Sequence, residues 1–290
     1  MNVNSGVVST DAEPYLVLQG DVVAQSAVEA VAKLTNAKRI NCLGPNLFKL
    51  HNAKSHADLQ ALCKDLRVDF AFVPTSLKLS DFKLVAMDMD STLINIETLD
   101  EVADYVGLKQ EIAAITEQSM NGAVDFTQSL VQRVSLLKGS EAGALQRVYE
   151  DRVELNPGAE KLIATLKVHG IKTMLVSGGF TFFTERLKQR LGLDFAFANE
   201  LEIVDGKLTG AMIGAVLDPA AKAAKIREVS EVLGIVDPVR VIAIGDGAND
   251  RAMFDAVGTA IGYRAKAILR PHASYCLDFV GLDGVAKLFS

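Results

Sequence analysis

Three short stretches constrain the fold most. Residues 84–87 (LVAM), 171–176 (IKTMLV) and 240–244 (RVIAI) are largely apolar, and each leads into a polar residue: Asp88, Ser177 and Asp246. Strands buried on both faces lose polar/apolar alternation, as happens when helices cover both sides of a parallel sheet. Such a sheet presents the carboxyl ends of its strands to ligands, so the three polar residues are expected along one rim. Between the first two strands the chain is far longer than a crossover needs. It reads as helices near 98–106, 110–120, 126–137 and 141–152, and the insertion at about 96–154 is expected to be a helical cap. Farther on, 201–204 and 207–210 flank Asp205-Gly206, a strong signal for a two-residue hairpin turn.

The leading residues follow a different pattern. After a polar leader, residues 15–20 read as a strand, 26–34 as a helix, 38–43 and 46–51 as strands joined at Gly44-Pro45, 56–66 as a helix and 69–73 as a strand. That order predicts a small α+β sandwich of the ferredoxin-like type, similar in topology to ACT domains that bind amino acids. Residues 74–81 are the expected linker. The expected division is thus 1–80 for an ACT-like regulatory or interaction domain with its linker and 81–290 for the α/β domain carrying the cap.

Composition narrows the function classes. With 290 residues, 49% of them hydrophobic, the chain can bury a core of ordinary size. Thirty basic against 36 acidic side chains give a net charge of −6, which argues against nucleic acid as a partner. Cys42, Cys63 and Cys276 are odd in number and widely spaced, unlike a disulfide framework or a zinc site. The first 14 residues lack the basic start and apolar stretch of a secretory signal, and no apolar run reaches membrane-spanning length. A cytoplasmic protein is expected.

The rim residues carry the chemistry. Residues 85–93 read VAMDMDSTL, placing Asp88, Asp90 and Thr92 at the mouth of a buried strand. Like charges about 4 Å apart repel by roughly 4 kcal/mol at an effective dielectric near 20, and a cation relieves that cost. A second acidic cluster, GDGAND at 245–250, supplies Asp246, Asn249 and Asp250. Hard oxygen ligands from separate strand ends suit magnesium. A glycine-rich turn with an Asn-Asp helix cap competes as a reading of Asn249 and Asp250, but not of Asp246. Ser177 and Gly178, before a helix starting near residue 180, can hold a phosphate oxygen. Lys222 can add positive charge there, with Lys225 as its rival.

Taken together, DxDxT, the serine after the second strand, a later helical lysine and GDGxxD resemble the haloacid-dehalogenase-like phosphotransferases from about Lys83 onward. Within them, MDMDSTLINIETLDEVA (87–103) and DFTQSLVQRVSLLKG (125–139) resemble the phosphoserine phosphatases. The resemblance implies a Rossmann-like α/β core with a helical cap, and hydrolysis of phosphoserine through an aspartyl-phosphate. It implies Asp88 as nucleophile and Asp90 as general acid and base. Magnesium is implied at Asp88, Asp246 and Asp90, the last through its backbone carbonyl. Thr92, Ser177, Gly178, Lys222 and Asn249 are implied around the phosphate, with Glu97 on the substrate ammonium, Arg133 on its carboxylate and Phe126 shielding the site. Ala223, and Ala265-Lys266-Ala267 where AKP is frequent, depart from the family pattern at positions expected to lie away from the chemistry. Phosphate transfer to an alcohol, action on another small phosphometabolite, and an amino-acid sensor are the competing functions; a homodimer and an amino-acid effector of the leading domain are further expectations.

Overall fold

The computed structural model of the chain describes residues 14–120 and 125–290, so the polar leader through residue 13 lies outside the described residues. It divides into two compact units. One contains the described residues up to Asp81 together with Asp278–Val280 and Ala286–Ser290; the other contains Phe82–Leu277 and Gly281–Val285.

The first unit runs β1 (Tyr15–Gln19), α1 (Gln25–Thr35), β2 (Arg39–Gly44), β3 (Leu47–His51), α2 (Leu59–Asp65) and β4 (Asp69–Val73). Its antiparallel sheet has the order β2-β3-β1-β4, the ferredoxin-like arrangement. The central β1 is buried throughout, whereas β4 alternates, with Asp69, Ala71 and Val73 turned inward. Leu16, Leu18, Val28, Val31, Leu50 and Leu59 form the core, and full burial of such side chains contributes about 1.5–3 kcal/mol each. The helix expected over 56–66 begins three residues later, at Leu59, because the chain first turns where the Asp58 N–H donates to His56 Nδ1 (3.2 Å).

Asp69 ties the carboxyl-terminal residues into this unit. Its buried carboxylate accepts the N–H groups of Asp278 (2.8 Å), Phe279 (3.0 Å) and Val280 (2.9 Å). Leu79 N–H donates to the Phe289 carbonyl (3.1 Å) and the Lys49 ammonium to the Ser290 carbonyl.

The second unit contains β5 (Leu84–Met87), α3 (Thr98–Tyr105), α4 (Lys109–Met120), α5 (Phe126–Leu136), α6 (Gly143–Asp151), α7 (Ala159–Val168), β6 (Lys172–Phe180), α8 (Thr181–Leu191), β7 (Phe195–Val204), β8 (Lys207–Ile213), α9 (Pro219–Val232), β9 (Val241–Gly245), α10 (Arg251–Phe254), β10 (Thr259–Tyr263) and β11 (Tyr275–Leu277). Its sheet has the order β11-β10-β9-β5-β6-β7-β8, parallel except for the β7–β8 hairpin. The hairpin turns at Asp205 (φ 50°) and Gly206 (φ 76°), both left-handed as a type I′ turn requires. Central β5 lies between β9 and β6, which brings the end of β5 beside the ends of both neighbours. The four helices α3–α6 form the cap. Its two stems are joined where Asn95 N–H donates to the Glu154 carbonyl (3.0 Å) and Asn156 N–H to the Leu93 carbonyl (2.9 Å).

One strand differs from expectation. The run expected to end at residue 176 continues as β6 to Phe180, with a register shift after Val176, so Ser177 lies within the strand rather than after it. Glycines permit this. A Cβ at Gly178 would stand 2.9 Å from the Phe126 ring, and one at Gly179 would stand 2.9 Å from Asp90 Oδ2. No helix among the described residues is long and apolar enough to cross a membrane.

Candidate active site

The loop after β5 departs from regular structure at once. Asp88 accepts the N–H of Met89 on its own Oδ1 (2.7 Å), and Ser91 takes a left-handed conformation (φ 57°). Buried Asn156, at the returning stem of the cap, holds the loop by donating its side-chain amide to the carbonyls of Thr92 (2.8 Å) and Ile94 (3.0 Å). The loop is thereby fixed from the cap side as well as from the strand.

Asp88, Asp246 and Asp250 are buried, and each offers a carboxylate oxygen within 4.8 Å of the others. Glycines make the room: a Cβ at Gly245 would overlap the Asp250 carboxylate, and one at Gly247 would stand 2.5 Å from Asn249 Oδ1. Asp250 does take the capping role expected of it, accepting the N–H groups of Asp246 (3.0 Å) and Gly247 (3.2 Å) on Oδ2. Its other oxygen meets Lys222, so it belongs to the acidic cluster as well.

Lys222 is fully buried, with Nζ 2.9 Å from Asp88 Oδ1 and 2.9 Å from Asp250 Oδ1. The local sequence delivers it there. Asp218 caps α9 by accepting the Ala221 N–H (2.8 Å), Pro219 opens the helix, and Lys222 follows on the inward face. Its rival Lys225 pairs with Glu228 at 2.7 Å in a more exposed position. Asn249 donates to Asp88 Oδ2 (3.0 Å), so both oxygens of Asp88 are oriented by neighbours. Thr92 Oγ1 donates to Asp246 Oδ1 (3.2 Å). Buried Ser177 accepts the Gly179 N–H on its Oγ (2.9 Å), and the Gly178 carbonyl is held by the Asn199 amide (2.8 Å).

Asp90 faces elsewhere. Its Oδ1 accepts the Thr98 N–H (3.0 Å) at the start of α3. Desolvation, then the charges of Glu97 and Asp88, push its carboxyl well above the usual range. Burial likewise raises Asp246, and burial with the Asp88 charge raises Asp250 to about 8 against the pull of Lys222. Glu97 accepts the Ser91 hydroxyl (2.8 Å). Arg133, on α5, donates its Nε to the Ser129 carbonyl (3.3 Å). Desolvation lowers its pKa against the pull of Asp100, Glu97 and Asp90, and no carboxylate lies within 4 Å of it among the described residues. Its guanidinium fork therefore remains available to an anion. Phe126, the first residue of the same helix, covers Gly178.

The residues expected from sequence thus converge from the ends of β5 and β9, from β6, and from α3, α5 and α9. Sequence reasoning placed Asp250 in the second acidic cluster but left a helix cap as its competing reading; the structure gives it both roles. It passed over Asn156, visible as the turn-forming Asn before Pro157, and it set Lys266 apart from the chemistry, an expectation the structure corrects: Nζ stands 3.2 Å from Asp246 Oδ2.

The donor set fits a hard divalent cation. Asp88, Asp246 and Asp250 offer only oxygen, are desolvated together, and belong to a site where, among the described residues, five carboxylates, counting Asp90 and Glu97, meet the three cations Lys222, Lys266 and Arg133.

Comparisons with known proteins place this geometry in a family. The model of the haloacid dehalogenase-like hydrolases matches residues 82–258. A phosphoserine phosphatase of Albidiferax ferrireducens is 48% identical over 218 residues, covering 73% of this chain and 92% of the relative. A probable phosphoserine phosphatase of Vibrio cholerae, solved unliganded, superposes with a TM-score of 0.84 at 34% identity over 97% of this chain and 88% of its own. A substrate-bound phosphoserine phosphatase superposes with a TM-score of 0.68 at 40% identity, over 72% of this chain and 99% of its own. On this family match and these identities, the chain belongs to the haloacid dehalogenase-like hydrolases, among the phosphoserine phosphatases.

Proposed function

We propose that this protein hydrolyses O-phospho-L-serine to L-serine and phosphate, the last step of serine biosynthesis, with magnesium as its cofactor. One observation carries the reading: a buried Asp88–Asp246–Asp250 cluster with Lys222 between two of its members, beneath a cap that carries Glu97 and Arg133, which makes no ion pair within 4 Å among the described residues. A substrate with a phosphate, an ammonium and a carboxylate matches these three features. Arg133 offers the carboxylate a planar fork, and Glu97 offers the ammonium an opposite charge.

In this reading Asp88 attacks phosphorus, forming the acyl O–P bond as the P–O bond to serine breaks. Asp90, whose carboxyl is pushed up by desolvation and by the charges of Glu97 and Asp88, gives a proton to the departing serine oxygen and later takes one from the water that hydrolyses the aspartyl-phosphate. Lys222, Asn249, Thr92, Ser177 and the Gly178 backbone orient the nucleophile and the phosphoryl oxygens. Magnesium, for which Asp88, Asp246, Asp250 and the Asp90 backbone carbonyl are the ligand candidates, supplies Lewis-acid screening between carboxylate and phosphate when bound. Phe126 and the cap exclude bulk water.

Residues 1–80 serve, on the same reading, as an ACT-like interaction unit for an amino-acid effector or a second copy of the chain. Three cysteines in the thiol form, none of them in a disulfide among the described residues, fit a reducing compartment such as the cytoplasm.

The test follows phosphate release from phosphoserine with magnesium present and chelated, with alcohol acceptors added in parallel. Turnover should vanish on chelation and fall on the order of 10⁴-fold or more in Asp88→Asn. Undiminished turnover in that variant, or protein labelling by substrate phosphate that survives it, would reject Asp88 as nucleophile.

A further inference from the structure

The turn after β10 carries Lys266 onto the acidic rim. Arg264 takes a left-handed conformation (φ 47°) and donates its N–H to the Leu277 carbonyl (2.8 Å), so the turn is anchored from the neighbouring strand. Two residues on, the Lys266 N–H donates to the Asp246 carbonyl (2.8 Å). The peptide is thus tied to the very residue that its ammonium meets, at 3.2 Å on Oδ2. The same Nζ lies 3.7 Å from Glu97 Oε1.

These two acids have different origins and different assignments. Asp246 follows β9 in the sheet, whereas Glu97 immediately precedes α3 at the start of the cap. One ammonium therefore spans core and cap. Its backbone is fixed, but its side chain is 58% exposed, so the group can withdraw into solvent without opening a cavity. By contrast Lys222 is enclosed on every side and cannot yield its place.

Asp246 Oδ1 is occupied by the Thr92 hydroxyl and Oδ2 by Lys266. Any cation that approaches Asp246 works against the Lys266 charge, and any ammonium that approaches Glu97 meets the same competitor. Resting on the reading of the site as a phosphoserine phosphatase, we propose that Lys266 is a positioning residue that holds Asp246 and Glu97 and competes for them, yielding the first to a divalent cation and the second to the substrate ammonium. Its consequence is weaker ground-state binding at both points, which eases departure of serine after the phosphoryl group has left.

Two variants test this: Lys266→Met, which keeps the length of the side chain and removes its charge, and Lys266→Arg, which keeps the charge. Magnesium chloride alone is titrated calorimetrically into each protein. At saturating magnesium, KM and kcat are then measured for phosphoserine and for a phosphate monoester that has the carboxylate but no amine. Lys266→Met should bind magnesium about threefold tighter or more and lower the phosphoserine KM by a similar factor, without the same gain on the amine-free ester; Lys266→Arg should stay near wild type. Unchanged or weakened magnesium affinity in Lys266→Met, or equal KM changes on both esters, overturns the proposal. A wild-type protein that neither binds magnesium nor hydrolyses phosphoserine overturns the reading beneath it instead.

Discussion

Both units bury carboxylates, and their partners differ in kind. In the first unit Asp69, 4% exposed, spends its lone pairs on three peptide N–H groups. In the second, Asp88, Asp246 and Asp250 crowd within 4.8 Å, and lysine side chains lie against them. Burial raises the carboxyls of Asp69, Asp246 and Asp250 alike. A raised carboxyl therefore reports desolvation, and the nature of its partners separates a structural acid from a reactive one. Cys63 follows the same rule: burial, then the Asp69 charge, pushes its thiol to about 12, which leaves it inert.

The contrast breaks most visibly at Lys222. Replacing it by Met leaves Asp88 and Asp250 without their shared counter-ion and should cost about 3–5 kcal/mol, together with nearly all turnover. Denaturant unfolding reads the first effect and phosphate release the second. Stability within about 1 kcal/mol of wild type would mean that the acids are balanced by something else.

Asp69→Ala should lower stability but spare turnover. Three N–H groups lose a charged acceptor, and a loss of about 2–3 kcal/mol is expected. Turnover at low temperature should remain that of wild type. A fall in kcat with intact stability would make Asp69 part of the chemistry and erase the distinction between the two acids.

The smallest effect is expected at Arg133. Arg133→Lys keeps the charge but gives up the fork, so KM for phosphoserine should rise about tenfold while a phosphate ester without a carboxylate is unaffected. Equal changes on both esters would assign Arg133 to the phosphate.

Most of the second unit's scaffold was legible because its signals are local. Apolar runs at 84–87, 171–176 and 240–244 announced β5, β6 and β9, and Asp205-Gly206 announced its hairpin. The extension of β6 to Phe180 was not legible: the apolar run stops at Val176, and Phe126 and Asp90, which press on the two glycines that follow, are distant in sequence. Asp250 and Lys266 were underrated for a related reason, since a helix-capping acid and a solvated lysine look alike in sequence wherever their side chains end up.

What the sequence determined by itself was the set of reactive groups and the strand ends that bear them, because strand burial and turn chemistry depend on neighbouring residues. The tertiary structure decided which groups share a charge: Lys222 with Asp88 and Asp250, Lys266 with Asp246 and Glu97, and Asp69 with the returning residues 278–280. Electrostatic pairing falls off over a few ångströms of space, whereas residues far apart along the chain carry no local pattern that records their meeting.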